Sequence, residues 1–277
     1  MVQDLLIILI STFNYHIMLN FERKGNGKEI LVLLHGFMEN LTIWSDMEPY
    51  LSEDFSLLKI DLPGHGQSEI MADVQTMELM AQEVKKVLDS QNIKKIHLLG
   101  HSMGGYVSLG FAEQHPEYLK SLTLFFSTYF PDDKEKKEQR IKSYRIIKDA
   151  FTHYARAGVP NLFNPNERDI LEGKIETALS VALSTNNLGA LASVKGMVER
   201  TDKKHVIENL EAKILVLAGK HDSAVKTEML INTLPDRTNI KSYVLDCGHN
   251  GHWEKPRICA EIINTELLHN LPKKLVM

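Results

Sequence analysis

The stretch KKIHLLGHSMGGYVSLG, residues 94–110, runs from a short apolar segment through Gly100, Ser102 and Gly104 into a helical pattern. Its reading decides the fold. An apolar run closed by glycine, then a serine between small residues, then an apolar-periodic segment predicts a strand that turns sharply into a helix. Gly100 and Gly104 let such a turn close without a Cβ clash. The helix continues through MGGYVSLGFAEQH (103–115) and stops at Pro116. That geometry would raise the Ser102 hydroxyl above the sheet, at a helix N-terminus. Taken alone, the G-x-S-x-G pattern leaves two readings open: a nucleophile, or a spectator serine in a tightly packed glycine turn.

Outward from this turn the chain alternates between apolar runs and helical stripes. FSLLKID (55–61), IHLLG (96–100), SLTLFFS (121–127) and AKILVLAG (212–219) are continuous apolar runs, as expected of strands covered on both faces. IKSYVLD (240–246) would be the last strand. IMLNFER (17–23) and EILVLLHG (29–36) flank the turn KGNGK, whose glycines suit a β-hairpin. TMELMAQEVKKVLDS (76–90) places Met77, Met80, Ala81, Val84, Val87 and Leu88 on one stripe, with Thr76 as N-cap. The fold class is therefore α/β, a mostly parallel central sheet flanked by helices.

Residues 131–201 break the alternation. They carry helical patterning only, beginning with the charged run DDKEKKEQR (132–140), which reads as a solvated helix face. They are expected to form a helical cap inserted into a core made of residues 18–130 and 202–277. Residues 1–17 are expected to be an N-terminal extension. LLIILI (5–10) is too short to span a membrane and, with Asp4 before it, lacks the basic flank of a secretory signal. Met18 directly precedes the folded domain and could serve as the start of translation in the cell.

Composition sets the broad class. The 277 residues are 43% hydrophobic and 25% charged, ordinary for a globular protein with a real core. A net charge of −4 gives no footprint for nucleic acid or an anionic membrane. Cys247 and Cys259 are too far apart for a C-x-x-C site, so neither a metal site nor a disulfide scaffold is expected, and a reducing cytoplasm is the default. No stable membrane insertion is expected, and the sequence specifies no oligomeric state.

A serine hydroxyl needs an adjacent base, and the base needs a group to orient it. Both follow Ser102 in the order serine, acid, histidine. Asp222 follows an apolar run in GKHDSAV (219–225), and His249 follows the last strand in LDCGHNGHWEKP (245–256). Each residue alone has a plainer reading, Asp222 as a helix N-cap and His249 as one of twelve histidines. It is their order that points to chemistry. An oxyanion would need two N–H donors. One would be Met103, after the serine; the other would be Phe37, after the turn His35–Gly36 in VLLHGFMEN (32–40).

LLHGF, DLPGHGQS, GHSMGG, LAGKHDSAV and CGHNGHWEKP resemble the successive signatures of the α/β-hydrolase superfamily, and they cover nearly all of the chain from Met18 onward. In that family a G-H pattern followed by E-x-P ends the chain. Glu254 and Pro256 make His249, rather than His252, the base by resemblance. The resemblance implies a serine hydrolase with Ser102, His249 and Asp222 as triad and no metal or organic cofactor. Relatives with an aspartate nucleophile, the haloalkane dehalogenases and epoxide hydrolases, are excluded by the serine. A small-molecule ester is the first expectation. C–C bond hydrolases, enol-lactonases, perhydrolases and a pyruvate-eliminating synthase share the GHSMGG motif, and a slow-turnover ligand-binding receptor is a further alternative. His35, Gly36, His101, Phe163 and His252 are candidate pocket-lining residues, and the turn at Gly64–Gly66 is expected to border the pocket. Trp44 is expected to pack the first helix. Substrate choice should reside in the cap, through apolar side chains such as Phe151, Tyr154, Leu162, Leu179, Val181 and Met197. A carboxylate substrate would need Arg140, Arg145, Arg168 or Arg200.

Overall fold

Among the described residues, seven strands form one sheet in the order β1-β3-β2-β4-β5-β6-β7. They are β1 (Phe21–Lys24), β2 (Glu29–Leu34), β3 (Phe55–Ile60), β4 (Ile96–His101), β5 (Leu119–Phe125), β6 (Lys213–Gly219) and β7 (Ile240–Leu245). This computed structural model describes residues 18–268, so what the sequence suggests for residues 1–17 lies outside the described residues. All neighbours run parallel except β1, which pairs antiparallel with β3, Phe21 opposite Ile60.

The pairing of β1 corrects the hairpin expectation. Both edges of β2 are taken, by β3 and β4, and the glycine turn carries the chain past the start of β3, where Glu29 N–H donates to Asp54 O at 3.1 Å. The physical reason lies in burial. Every residue of β3 is buried, whereas β1 is exposed along most of its length, so β3 belongs inside the sheet and β1 at its rim.

Helices cover both faces. In α1 (Met77–Ser90) the six stripe residues are all buried, and Thr76 Oγ1 accepts from Leu79 N–H at 3.1 Å. α2 (Met103–Gln114) is buried continuously from Met103 to Ala112, which explains its lack of amphipathic pattern. Between β5 and β6 the chain forms α3 (Lys134–Asp149), α4 (Phe151–Gly158), α5 (Glu172–Ser184), α6 (Asn187–Glu199) and α7 (Lys204–Asn209), the helical cap with a short return helix. Beyond β6 come α8 (Thr227–Asn232), α9 (Gly251–Glu254) and α10 (Pro256–Leu268). Cys247 and Cys259 are buried and free.

The cap is seated on the core through backbone contact along α6. A Cβ on Gly189 would overlap the Gly64 carbonyl, and one on Gly196 would overlap that of Gln75. Gln75 N–H donates to Ala192 O at 3.0 Å, and Gln75 Nε2 donates to Ser193 Oγ at 3.1 Å. The Gly64–Gly66 turn therefore meets the cap helix and does not line the cavity described below. Gly196→Ala is expected to force α6 off this seat at a cost of roughly 3 kcal/mol, read as a lower urea midpoint. An unchanged midpoint would show that the crossing can yield.

Candidate active site

β4 delivers Ser102 at its C-terminal end. The residue holds φ 49° and ψ −113°, a left-handed conformation unusual for a side-chain-bearing residue and costing about 1–3 kcal/mol. Surrounding bonds hold it there. Ser102 N–H donates to Phe125 O at 3.1 Å, and Ser127 Oγ donates to Ser102 O at 2.7 Å. The bend also requires Gly100 and Gly104, since a Cβ on either would overlap backbone, of Gly104 and of Leu34 respectively.

The loop after β6 brings Asp222, and the loop after β7 brings His249. His249 Nε2 lies 2.8 Å from Ser102 Oγ, and His249 Nδ1 lies 2.7 Å from Asp222 Oδ2. The other carboxylate oxygen, Oδ1, accepts N–H bonds from Ala224 at 2.7 Å and Val225 at 2.9 Å, closing a turn of its own loop; the next helix starts only at Thr227, so Asp222 is not a helix N-cap. His249 is fixed from the cap by its own N–H, which donates to Leu162 O at 2.7 Å. Burial works against a charged His249 ring, but the Asp222 carboxylate, by charge and by hydrogen bond, more than offsets this and raises its pKa. Such a chain of contacts can take a proton from a hydroxyl and stabilise the resulting imidazolium.

A cavity of about 260 Å³ opens over Ser102. His101, Phe37, Tyr154, Leu162, Met197 and Arg140 are among the residues lining it. A larger open depression of about 590 Å³ lies beyond the Asp222 loop, but neither Ser102 nor His249 reaches it. Phe37 sits at the cavity wall, and the Met103 N–H belongs to the first turn of α2, where no intrahelical acceptor exists.

Four expected lining residues lie elsewhere. His35 is wholly buried; its Nδ1 donates to Gly36 O at 2.7 Å and its Nε2 accepts from Leu62 N–H at 2.9 Å, which makes it a neutral strut between two loops. Gly36 lies behind the cavity wall, where a Cβ would come within 2.7 Å of Glu39 Oε2 and 2.9 Å of His101 Nδ1. Phe163 is wholly buried and stacks on Trp253, ring centroids 6.1 Å apart. His252 is enclosed by Trp44, His101, Phe125 and Trp253, with neither ring nitrogen bonded. Burial drives its pKa well down, so it stays neutral. These residues fill space that a pocket would need; short-range sequence proximity to the motifs does not reveal which way a side chain turns. Trp44 also differs from expectation: it closes a short 3-10 turn (Leu41–Trp44) and packs on His101 and Phe125.

Glu39 was not apparent from sequence. Its Oε2 accepts from Gly36 N–H at 2.6 Å and from His101 Nδ1 at 2.8 Å, while His101 Nε2 donates to His249 O at 3.1 Å. This buried pair ties the loop carrying Phe37 to the loop carrying His249. Burial would raise the Glu39 pKa, but the neighbouring His101 charge and hydrogen bond bring it down to about 2. The one available signal was an acid three residues beyond Gly36, inside an otherwise apolar motif. Glu39, His101 and His252 place potential ligand atoms within 4.8 Å of one another. Glu39 and His101 are already committed to each other and to backbone, so this donor set does not offer a metal three open ligands.

Comparison with known proteins agrees with this architecture. The family model described as alpha/beta hydrolase fold matches residues 29–256. A 2-hydroxy-6-oxononadienedioate/2-hydroxy-6-oxononatrienedioate hydrolase of Pseudomonas putida is 26% identical over 253 residues, 85% of this chain and 87% of that protein. The acetyltransferase component of the acetoin cleaving system of the same organism is 40% identical over 107 residues, and the match spans only 29% of that longer protein. Among solved structures, a thermophilic esterase from Thermogutta terrifontis, with malate bound, superimposes with a TM-score of 0.84 at 30% identity, covering 91% of this chain and 93% of that one. The enol-lactonase from Burkholderia xenovorans LB400 shares the fold with a TM-score of 0.83 at 20% identity, covering 90% and 96%. No helix among the described residues is long and apolar enough to cross a membrane. With the sheet order, the strained turn after β4 and a family match over most of its length, the chain belongs to the α/β-hydrolase family.

Proposed function

We propose that the protein is a serine hydrolase for small carboxylic esters, working through an acyl-enzyme at Ser102. The observation that carries this reading is the single imidazole of His249 held between Ser102 Oγ at 2.8 Å and Asp222 Oδ2 at 2.7 Å. Ser102 Oγ attacks the ester carbonyl as His249 Nε2 takes its proton. The Phe37 and Met103 N–H groups receive the negative oxygen of the tetrahedral intermediate. His249 then returns the proton to the departing alcohol. Water, deprotonated by the same ring, attacks the acyl-serine, and the ring passes that proton to the departing Ser102 Oγ as the acid is released. A cavity of about 260 Å³ suits a small substrate, being at or below the lower end of ordinary ligand sites. The acid and histidine required are supplied by the chain, so the reading needs no cofactor.

The test is turnover of short p-nitrophenyl esters across a pH series. His249 must be neutral to act as base, and its pKa is raised above the ordinary imidazole value of 6.5. Below that raised pKa the ring is protonated in the free enzyme, so kcat/KM is expected to fall with acid at a midpoint above 6.5. An acid limb below the ordinary value would contradict the Asp222–His249 arrangement. Absence of ester turnover, with cleavage of a 2-hydroxy-6-oxo-dienoate instead, would replace the ester reading with C–C hydrolysis.

A further inference from the structure

We propose that the cavity over Ser102 takes an ester bearing a free carboxylate, with Arg140 of the cap as its counter-charge. This rests on the serine-hydrolase reading and names the substrate class of the same site.

The argument begins with an uneven set of charges. Asp132, at the start of the cap, is buried and accepts from two guanidinium groups, Arg140 Nε at 2.5 Å and Arg200 Nη2 at 2.8 Å. One carboxylate therefore serves two arginines. Arg200 is enclosed in this structural role, buried with its guanidinium over the Tyr106 ring at 3.6 Å and its Nε left without a partner, and it does not border the cavity over Ser102. Its contact occupies Asp132 Oδ1, leaving Arg140 only the other oxygen.

Arg140 is placed differently. It borders the cavity that contains Ser102 and His249, and its Nη nitrogens have no protein acceptor among the described residues. Lys136, one helical turn earlier on α3, borders the same cavity with its Nζ on the Ala224 carbonyl at 2.7 Å, adding a second cation without adding an anion. The acidic side chain on the cavity wall, Glu39, is already paired with His101. Arg140 and Lys136 thus place two cations on the wall, with the Asp132 carboxylate set behind Arg140 and that of Asp222 behind His249. A largely buried guanidinium with free donors binds a carboxylate strongly and leaves a neutral isostere unrewarded. Of the two arginines on Asp132, Arg140 alone borders the cavity over Ser102.

Two matched esters test this directly: monoethyl succinate, and ethyl 4-methylpentanoate, in which an isopropyl group replaces the carboxylate. For the parent enzyme kcat/KM is expected to favour the succinate ester by about 100-fold. Arg140→Gln should lose about 100-fold on monoethyl succinate, mainly through KM, and clearly less on the neutral ester, so that the parental preference collapses. Binding of succinate itself, followed by calorimetry, should be visible in the parent and lost in Arg140→Gln. Should that variant fail to fold, the parental ester ratio and succinate binding still decide the matter. Equal use of both esters without succinate binding would overturn the carboxylate assignment and leave the ester reading standing. Succinate binding with neither ester cleaved would remove the ester reading and keep the anion site. A parental preference for the neutral ester, or equal loss on both esters in a folded Arg140→Gln, would overturn the role of Arg140.

Discussion

Ser102→Ala is expected to lower kcat on a short p-nitrophenyl ester by about 10⁴-fold or more while leaving the protein folded. The chemistry sets the size of the loss. Without Oγ there is no covalent acceptor for the acyl group, and His249 has no hydroxyl to deprotonate. On the mechanism we propose, the Phe37 and Met103 N–H groups and the binding cavity remain and can still assist attack by water. Stability should change little, because the Ser102 side chain is bonded to His249 alone, whereas the main chain is bonded to Phe125 and Ser127. Alanine inherits the same left-handed backbone, so the turn is no better and no worse served. Rates should be measured on protein free of parental enzyme, with melting temperature recorded alongside. Parental activity in Ser102→Ala would remove the serine mechanism outright.

Asp222→Asn is expected to cost about 10⁴-fold in kcat near neutral pH, through a change of tautomer rather than of shape. Asp222 Oδ1 accepts from two backbone N–H groups, at Ala224 and Val225. An asparagine amide must therefore keep its oxygen at that position, since an NH₂ there would face two donors. Its nitrogen is then turned toward His249 Nδ1, which has to accept where it previously donated. The proton moves to Nε2, and the ring presents N–H to Ser102 instead of a lone pair. Loss of the carboxylate charge also removes the main influence that raises the His249 pKa, so burial prevails and any residual activity should show an acid limb at lower pH. Activity within tenfold of the parent would mean that another residue orients the base.

The positions most legible in the sequence were those whose chemistry and backbone geometry are local. Gly100, Ser102 and Gly104 specify a bend that only small residues permit, and the stripe from Met77 to Leu88 is buried as its period indicates. The parallel strands were legible because a strand covered on both faces must be apolar throughout. What failed was pairing at a distance. The Gly25 and Gly27 turn suits a hairpin, yet β1 joins β3 because β2 has no free edge. The pocket wall was harder still. His252, beside a motif residue, and Phe163, in a cap loop, point into the core, whereas of the cap candidates Tyr154, Leu162, Met197 and Arg140 reach the cavity and Phe151, Leu179 and Val181 do not line it. Those directions depend on how α3, α4 and α6 cross one another, and no single periodicity encodes a crossing. Glu39 escaped notice for a similar reason: its partners, Gly36 and His101, are set by the meeting of two loops.

Asp132 and Arg200 are 68 positions apart in the chain and in direct contact. Seen from the sheet, everything between them is an excursion that departs and returns at one place. The entropic charge for closing such an excursion rises only logarithmically with its length, so length changes confined to the loops between its helices disturb the sheet little. The roof is nonetheless keyed to the core, by α6 against Gly64 and Gln75 and by the Leu162 carbonyl on the His249 N–H.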